Sequence, residues 1–257
     1  MQVKELQAIA KKIRVNTIKS IYNAGSGHPG SSLSCVDLLT MIYFDEFKEH
    51  DRVVLSKGHA APALYATFAE KGWIKQSELM TLRKIDSRLQ GHPDRTRLPC
   101  LDAGTGALGQ GLSIAAGYAL AAKMKGNGGR AFAIVGDGEL QEGQIWEAVM
   151  SAPLLGLDNL VCIVDSNKFQ NEGPCLNIGP IWEKFESFDW LPYRVNGHDI
   201  NHLKTAFKFA AGHNNQPVVI IAESVKGKGV SFMENSNEWH GKVMNAQDYA
   251  RALEDLK

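Results

Sequence analysis

The sequence predicts an α/β fold with a doubly wound, mostly parallel sheet and helices on both of its faces. The continuous apolar run 131–135 and the segment 159–164, which is apolar from residue 160 onward, are typical of parallel strands that are buried on both sides. Segments with helical periodicity lie between these and other short apolar runs, and this alternation is characteristic of a parallel sheet crossed by helices. At 257 residues the chain is long enough to bury a large core, so we expect one domain over residues 1–257.

The individual elements follow from periodicity and from the residues that start or stop helices. Apolar residues recur every three or four positions over 6–24, which predicts a helix that stops at the glycine-rich loop 25–30. Ser32 or Ser34 is expected to cap the next helix, and residues 76–85 are expected to form another. The other predicted helices span 61–71, 112–125, 144–155, 200–213 and 247–256, and the other predicted strands span 52–55, 191–195 and 217–222.

A carboxylate and an amide follow the two central strands. Asp137 stands between two glycines directly after strand 131–135, and Asn167 follows strand 159–164 about thirty residues later. Parallel sheets bind ligands at the carboxyl ends of their strands, so both side chains are expected at one edge. One carboxylate, one amide oxygen and a backbone carbonyl leave positions of a Mg²⁺ octahedron open for diphosphate oxygens and water. Asp-Gly is also common turn chemistry, so the prediction depends on the pair and not on the tripeptide.

Charge and composition argue against several classes of function. The chain has 28 basic and 28 acidic residues, so no net positive field favours a nucleic acid partner. The first residues lack the apolar segment of a signal peptide, and no apolar run reaches membrane-spanning length, so we expect a cytoplasmic protein without a membrane partner. The four cysteines are dispersed without a Cys-x-x-Cys pair, which argues against a disulfide framework and against a zinc site.

Five of the eight histidines lie beside a glycine in a predicted loop. They are His28, His59, His92, His198 and His240. An isolated histidine is most often a satisfied core or surface residue, but imidazole also binds phosphate and sugar hydroxyls and transfers protons near neutral pH. The remaining histidines, at positions 50, 202 and 213, are interpreted as structural.

Several of these stretches together resemble one family. Each is modestly specific, but they occur in the order found in the amino-terminal, diphosphate-binding half of transketolases and cover about residues 10–245. The stretches are 26–30, 56–60, 91–94, 105–111, 136–143, Asn167, 226–230 and 239–241. One departure is Lys168, which stands where the thiamine diphosphate motif of the family often has a second Asn.

The resemblance implies a thiamine diphosphate cofactor that is anchored by a divalent cation, either Mg²⁺ or else Ca²⁺ or Mn²⁺. The cation would be held by Asp137, Asn167 and the backbone carbonyl of Phe169. The residues implied in cofactor binding are His59, Gly106, Leu108, Gly136, Asp137, Gly138, Glu139, Asn167 and His240. The residues implied in catalysis are His28, His92 and His240, which surround the sugar and move protons, and Glu142, near the interface between subunits.

The resemblance also implies a partner subunit. In transketolases a second, pyrimidine-binding domain supplies the glutamate that activates the cofactor, and other regions grip the sugar phosphate. Neither lies within residues 1–257. We therefore expect the smaller subunit of a split transketolase, in an α2β2 assembly with a chain that carries the pyrimidine-binding and carboxy-terminal domains. This pair would be a transferase that moves a two-carbon ketol unit from a ketose phosphate to an aldose phosphate.

Two alternatives stay open. The first is a subunit of another thiamine diphosphate enzyme, of the deoxyxylulose-phosphate synthase or 2-oxo-acid dehydrogenase type, or a transketolase for a specialised sugar. The second is a non-catalytic subunit that binds thiamine diphosphate. The complete set of histidines, together with Asp137 and Asn167, favours an active transketolase.

Overall fold

The computed structural model describes residues 1–213 and 215–257. The strands are β1 (Arg52–Leu55), β2 (Ala131–Gly136), β3 (Leu160–Ser166), β4 (Leu191–Asn196) and β5 (Val218–Glu223). They form a parallel sheet in the order β1-β2-β3-β5-β4. The parallel α/β fold expected from the sequence is confirmed.

Helices connect the strands. They are α1 (Val3–Ala24), α2 (Pro29–Ser34), α3 (Val36–Met41), α4 (Ala61–Lys71), α5 (Gln110–Lys125), α6 (Gly143–Leu154), α7 (Ile181–Glu186), α8 (Ile200–Ala211) and α9 (Ala246–Asp255). A π-helical turn, Ile42–Glu46, extends α3, and short 3-10 segments span Gly58–Ala60, Gln76–Thr81, Gly138–Gln141 and Asn237–His240. None of the helices in the described residues is long and apolar enough to cross a membrane.

Side chains of the strands alternate between two apolar cores. In β2, Phe132 and Ile134 belong to the core that includes α1, α3, α4 and α8. Ala133 and Val135 belong to the core that includes α5 and α6. A strand covered on both faces needs an apolar residue at nearly every position, which explains its continuous apolar run. Helices therefore cover both faces of the sheet, as predicted.

Three local features differ from the sequence predictions. Helix α2 begins at Pro29, which suits a first turn because no N–H donor is needed there, so the expected cap at Ser32 or Ser34 is wrong. Residues 76–85 form only the 3-10 segment Gln76–Thr81, because Arg83 takes a left-handed φ of 60° that no helix can continue. Helix α7 was not predicted, since its six residues are too few to show a period.

The carboxyl ends of β1, β2, β3 and β5 lie at one edge of the sheet. They lead into the loops that carry Lys57, Asp137, Asn167 and Lys226, in that order. This is the edge at which open parallel sheets bind ligands. The topology therefore brings residues from distant parts of the chain to one place.

Candidate active site

Asp137 and Asn167 follow two strands that are direct neighbours in the sheet. Both side chains are buried. The Asp137 carboxylate accepts hydrogen bonds from the backbone N–H groups of Gly138 at 2.9 Å and of Lys168 at 2.6 Å. Asn167 Oδ1 accepts a hydrogen bond from the backbone N–H of Phe169 at 3.1 Å. Hydrogen bonds from the backbone thus fix the positions of the side-chain oxygens of Asp137 and Asn167.

Lys168, the departure from the family motif, contributes through its backbone. It has a φ of 72°, a left-handed conformation that Asn adopts more readily than Lys. Its backbone N–H donates to Asp137, whereas its side-chain Nζ donates to Ser166 Oγ at 2.8 Å. Because the contact with Asp137 needs no particular side chain, the substitution leaves that contact in place.

Three imidazoles form a triangle at the same edge of the sheet. The ring centroids of His28 and His59 are 5.3 Å apart, those of His28 and His240 are 5.4 Å apart, and those of His59 and His240 are 5.5 Å apart. Burial, reinforced by nearby cations, lowers the pKa of His28 and of His240 to about 4. Burial likewise lowers the pKa of His59 well below its usual value. The rings are therefore neutral at pH 7, and each offers one nitrogen that accepts a proton.

Two buried lysines lie close to this triangle, and the sequence did not assign them a role. Lys57 Nζ is 2.5 Å from Asp165 Oδ2, which also accepts a hydrogen bond from Ser34 Oγ at 2.6 Å. Lys226 Nζ is 3.0 Å from His240 Nδ1. Burial lowers the pKa of Lys226 to about 8. A protonated Lys226 has only donors, so His240 Nδ1 accepts and the imidazole proton lies on Nε2.

The Glu139 carboxylate joins three loops. It accepts hydrogen bonds from Ser56 Oγ at 2.5 Å, from Gly109 N–H at 2.9 Å and from Gly136 N–H at 3.0 Å. Burial raises the pKa of this carboxyl. The side chain is 2% exposed, and it fixes the glycine loops relative to one another.

The glycine-rich loop 104–111 allows other groups to approach closely. Gly106 has a φ of 149°, and a Cβ there would lie 3.2 Å from the ring of His92. Gly109 has a φ of 83°, and a Cβ there would lie 2.8 Å from Glu142 Cβ. The distance at Gly109 is too short for a side chain, and the distance at Gly106 would require the ring of His92 to shift, so the glycines let this loop pack against its neighbours.

Many of these groups line one cleft with a volume of about 460 Å³. The predicted site residues that line it are His28, His59, Gly106, Leu108, Gly136, Asp137, Gly138, Glu139, Glu142, Asn167, Phe169 and His240. His92 does not line this cleft; it is exposed and packs against Gly106. Residues that the sequence did not single out also line the cleft, among them Ser31, Lys57 and the loop 170–172.

Comparison with known proteins identifies the family of this chain. A sequence model described as "Transketolase, thiamine diphosphate binding domain" matches residues 5–256. The chain belongs to the transketolase family. It is 36% identical to one named subunit of the apulose-4-phosphate transketolase of Phocaeicola vulgatus, over 100% of this chain and 95% of that protein. It is 41% identical to Transketolase-like protein 2 of Bos taurus over 94% of this chain, but it covers only 41% of that longer relative.

Solved transketolase structures share the fold. The transketolase of Campylobacter jejuni superposes with a TM-score of 0.91 at 31% identity, over 100% of this chain and 43% of that one. The transketolase of Leishmania mexicana superposes with a TM-score of 0.91 at 26% identity, over 98% of this chain and 41% of that one. The transketolase resemblance that was predicted from the sequence is confirmed for this domain.

The residues of the cleft fit thiamine diphosphate with a divalent cation. Within the described residues, no three His, Cys, Asp or Glu side chains form a metal cluster. The Asp137 carboxylate, the Asn167 amide oxygen and the Phe169 carbonyl would hold a cation at this edge, and such an all-oxygen set suits Mg²⁺, Ca²⁺ or Mn²⁺. His28 Nδ1 is buried and has no hydrogen-bond partner in the described part of the chain. Such an atom fits a polar ligand that supplies the missing partner.

Proposed function

We propose that this chain is the diphosphate-binding subunit of a two-chain transketolase, and that it transfers a two-carbon ketol unit between sugar phosphates together with its partner. The proposal is carried by one cleft, in which the oxygen donors of Asp137 and Asn167 share the space with three neutral imidazoles. A cation anchor and uncharged proton acceptors are what this half of the site must provide. Membership of the transketolase family supports the same chemistry.

The cofactor is held mainly by backbone and by short side chains. Asp137, Asn167 and the carbonyl of Phe169 bind the cation, which neutralises the diphosphate. Gly138 has no side chain, so the diphosphate can approach its backbone N–H closely, and His59 lines the same cleft. When bound, thiamine diphosphate supplies the carbon nucleophile and the electron sink, and the protein supplies position and proton transfer.

The histidines move protons on the sugar side. Because the pKa of His28 and of His240 is about 4, both imidazoles are free bases at pH 7. His28 can accept a proton from a sugar hydroxyl. His240 can donate a hydrogen bond through Nε2–H to a sugar oxygen, because Lys226 occupies its Nδ1. His92, at the rim, contacts substrate only where the sugar extends beyond the cleft.

A partner chain completes the site. In support, a relative whose name makes it one subunit of a transketolase aligns with this chain along 95% of its own length. We assign residues 1–257 to one domain, and we assign the pyrimidine-binding and carboxy-terminal domains to a second chain in an α2β2 assembly. Glu142 lines the cleft directly before α6, and Glu147 lies on the second turn of that helix; both are exposed, so a second subunit can reach them.

We propose two candidate sets of sugar substrates. Xylulose 5-phosphate with ribose 5-phosphate is the first, because these are the general substrates of the family. Apulose 4-phosphate is the second, because the relative that matches along nearly its whole length carries that sugar in its name.

A ketol-transfer assay tests the proposal. The chain is assayed alone and then mixed with the proposed partner chain, with thiamine diphosphate, Mg²⁺ and each sugar set. We expect activity only in the mixture, and a loss of more than about tenfold in Asp137→Ala. The control is Asp158→Ala, whose carboxylate pairs with Lys123 at the surface and which should retain full activity.

Each result has a separate meaning. Full activity in Asp137→Ala contradicts the cation site. Activity from this chain alone contradicts the need for a partner. Inactivity with both sugar sets, in a mixture that still binds thiamine diphosphate, contradicts ketol transfer between these sugars.

A further inference from the structure

Arg83 lies between the two loops that carry His28 and His92. Its Nη1 donates a hydrogen bond to Ser26 Oγ at 3.0 Å, two residues before His28. Its Nη2 donates to the carbonyl of Gly91 at 3.5 Å, the residue directly before His92. One guanidinium thus contacts both histidine loops, although the loops are more than sixty residues apart in the chain.

Arg83 forms no ion pair with a carboxylate in the described residues. Among residues 1–213 and 215–257, no Asp or Glu oxygen lies within 4.0 Å of its guanidinium. Its Nε is buried and has no hydrogen-bond partner in the same residues. A surface arginine that served only solubility or ion pairing would not be held in this way, since desolvating a donor without a partner costs free energy.

The backbone conformation of Arg83 is strained. Arg83 has a φ of 60°, a left-handed conformation that is strained for a side chain larger than glycine. Its N–H donates to the carbonyl of Leu89 at 2.9 Å, which closes the loop between them. A Cβ on Gly91 would lie 2.9 Å from Arg83 Cζ, so the glycine leaves room for the guanidinium. Strain of this kind persists where the surrounding structure holds it in place, often at functional sites.

We propose that Arg83 is a positioning residue for the ketol-transfer site, which sets the spacing of His28 and His92 and places a fixed positive charge beside them. The proposal rests on the proposed function. It deepens that function by assigning the geometry of the sugar-side histidines to a residue outside the cleft.

The electrostatics agree with this geometry. The pKa of His28 is lowered first by burial and then by Arg83, with His92, Lys226 and Lys57 adding to the effect. Although His92 is exposed overall, partial desolvation of its imidazole is the first cause that lowers its pKa, and Arg83 is the second. Removing the charge of Arg83 therefore raises both pKa values, whereas the lysines that face His28 remain.

Three variants separate charge from geometry. Arg83→Gln removes the charge, and Arg83→Lys keeps the charge but loses the planar fork that reaches both loops. Gly91→Ala keeps the arginine but displaces its flexible end, because the new methyl group would lie 2.9 Å from Cζ. The matched control is Arg88→Gln, since Arg88 pairs with Glu78 at 2.7 Å on the exposed side of the same segment.

Two readouts are measured on each variant. The first is the NMR titration of His28 and His92 in the chain itself, which needs no activity. We expect Arg83→Gln to raise both pKa values by about one unit, because it removes a positive charge that acts on both rings, and Arg83→Lys to leave them near the wild-type values. The second is the pH profile of kcat/KM in the mixture with the partner. We expect a loss of about tenfold in Arg83→Gln, Arg83→Lys and Gly91→Ala, and none in Arg88→Gln.

The proposal is overturned if Arg83→Gln leaves both titrations and kcat/KM as Arg88→Gln leaves them. If Arg83→Gln fails to fold, Gly91→Ala decides: wild-type kcat/KM in that variant overturns the proposal, and a loss of about tenfold supports it. If the wild-type mixture shows no ketol transfer, the proposed function is wrong. The histidine titrations then still decide whether Arg83 controls the imidazoles.

Discussion

Substituting Lys57 by Met removes the cation from a buried ion pair at the edge of the cleft. Lys57 Nζ is 2.5 Å from Asp165 Oδ2, and the two side chains are 2% and 0% exposed. Burial alone would lower the pKa of Lys57 and raise that of Asp165, but the charge of each partner outweighs burial, so both groups are ionised. Met has nearly the shape of Lys without its charge. The variant therefore leaves a buried carboxylate with the hydroxyl donors of Ser34 and Ser224.

We expect Lys57→Met to lower the free energy of unfolding by about 3–5 kcal/mol at pH 7, the cost of a buried charge that has lost its partner. In the wild type, the depressed pKa of Asp165 contributes stability that is present above the pKa of the unfolded chain and is lost as the pH falls through the folded pKa. In the variant we expect burial to raise the pKa of Asp165 in the folded chain above its value in the unfolded chain. Protonation of Asp165 then relieves the cost of the buried charge. The difference between variant and wild type should therefore shrink as the pH falls from 7 toward 4.

Urea denaturation followed by circular dichroism measures this difference at pH 7 and at pH 4.5. The matched control is Lys123→Met, because Lys123 Nζ lies 2.6 Å from Asp158 Oδ1 in an exposed pair. That control should cost less than about 1 kcal/mol. If Lys57→Met costs no more than Lys123→Met, or if its cost does not depend on pH, the ion pair does not stabilise the fold as described.

Three further outcomes are expected. The double variant His28→Gln/His240→Gln should weaken the pH dependence of the free energy of unfolding between pH 6.5 and 5. The pKa of both imidazoles is about 4 in the folded chain, so in this range the unfolded chain binds more protons than the folded chain. In the wild type these two histidines therefore destabilise the fold as the pH falls. If urea denaturation shows the same change of unfolding free energy with pH in the double variant and in the wild type, the assigned pKa values are contradicted. Gly109→Ala should lower the free energy of unfolding by about 1–3 kcal/mol, because of its φ of 83° and the contact with Glu142, and a wild-type Tm would refute the steric reason. Glu139→Ala should cost about 2–4 kcal/mol by leaving three donors unpaired, and equal urea midpoints for this variant and the wild type would show that water replaces the carboxylate.

Strands β2, β3 and β5 were predictable because they are buried on both sides. Continuous apolar runs located β2 and β3 almost to the residue, and so the positions of Asp137 and Asn167 at the carboxyl ends followed from topology alone. The triangle of His28, His59 and His240 required the family resemblance, since the residues come from three distant loops and no local pattern brings them together.

The buried charges were not predictable in the same way. A lysine normally stays in solvent, so Lys57 and Lys226 gave no sign of burial, although Lys57 stands two positions after the end of β1 and Lys226 three positions after the end of β5. Asp165 looked like the polar end of β3, but β3 continues through it into the core. The left-handed conformation of Arg83 was also hidden, because residues 76–85 have a helical pattern and the contacts that end the helix come from elsewhere in the chain.

Mn²⁺ binding tests most directly whether Asp137 and Asn167 form the cation site for thiamine diphosphate. Electron paramagnetic resonance counts free Mn²⁺ as it is titrated into the chain mixed with its partner, with and without the cofactor. We predict that thiamine diphosphate tightens Mn²⁺ binding by about tenfold or more in the wild type, and that Asp137→Ala and Asn167→Ala each remove this gain. Equal Mn²⁺ affinity with and without the cofactor in the wild type, or a full gain in Asp137→Ala, would contradict the site.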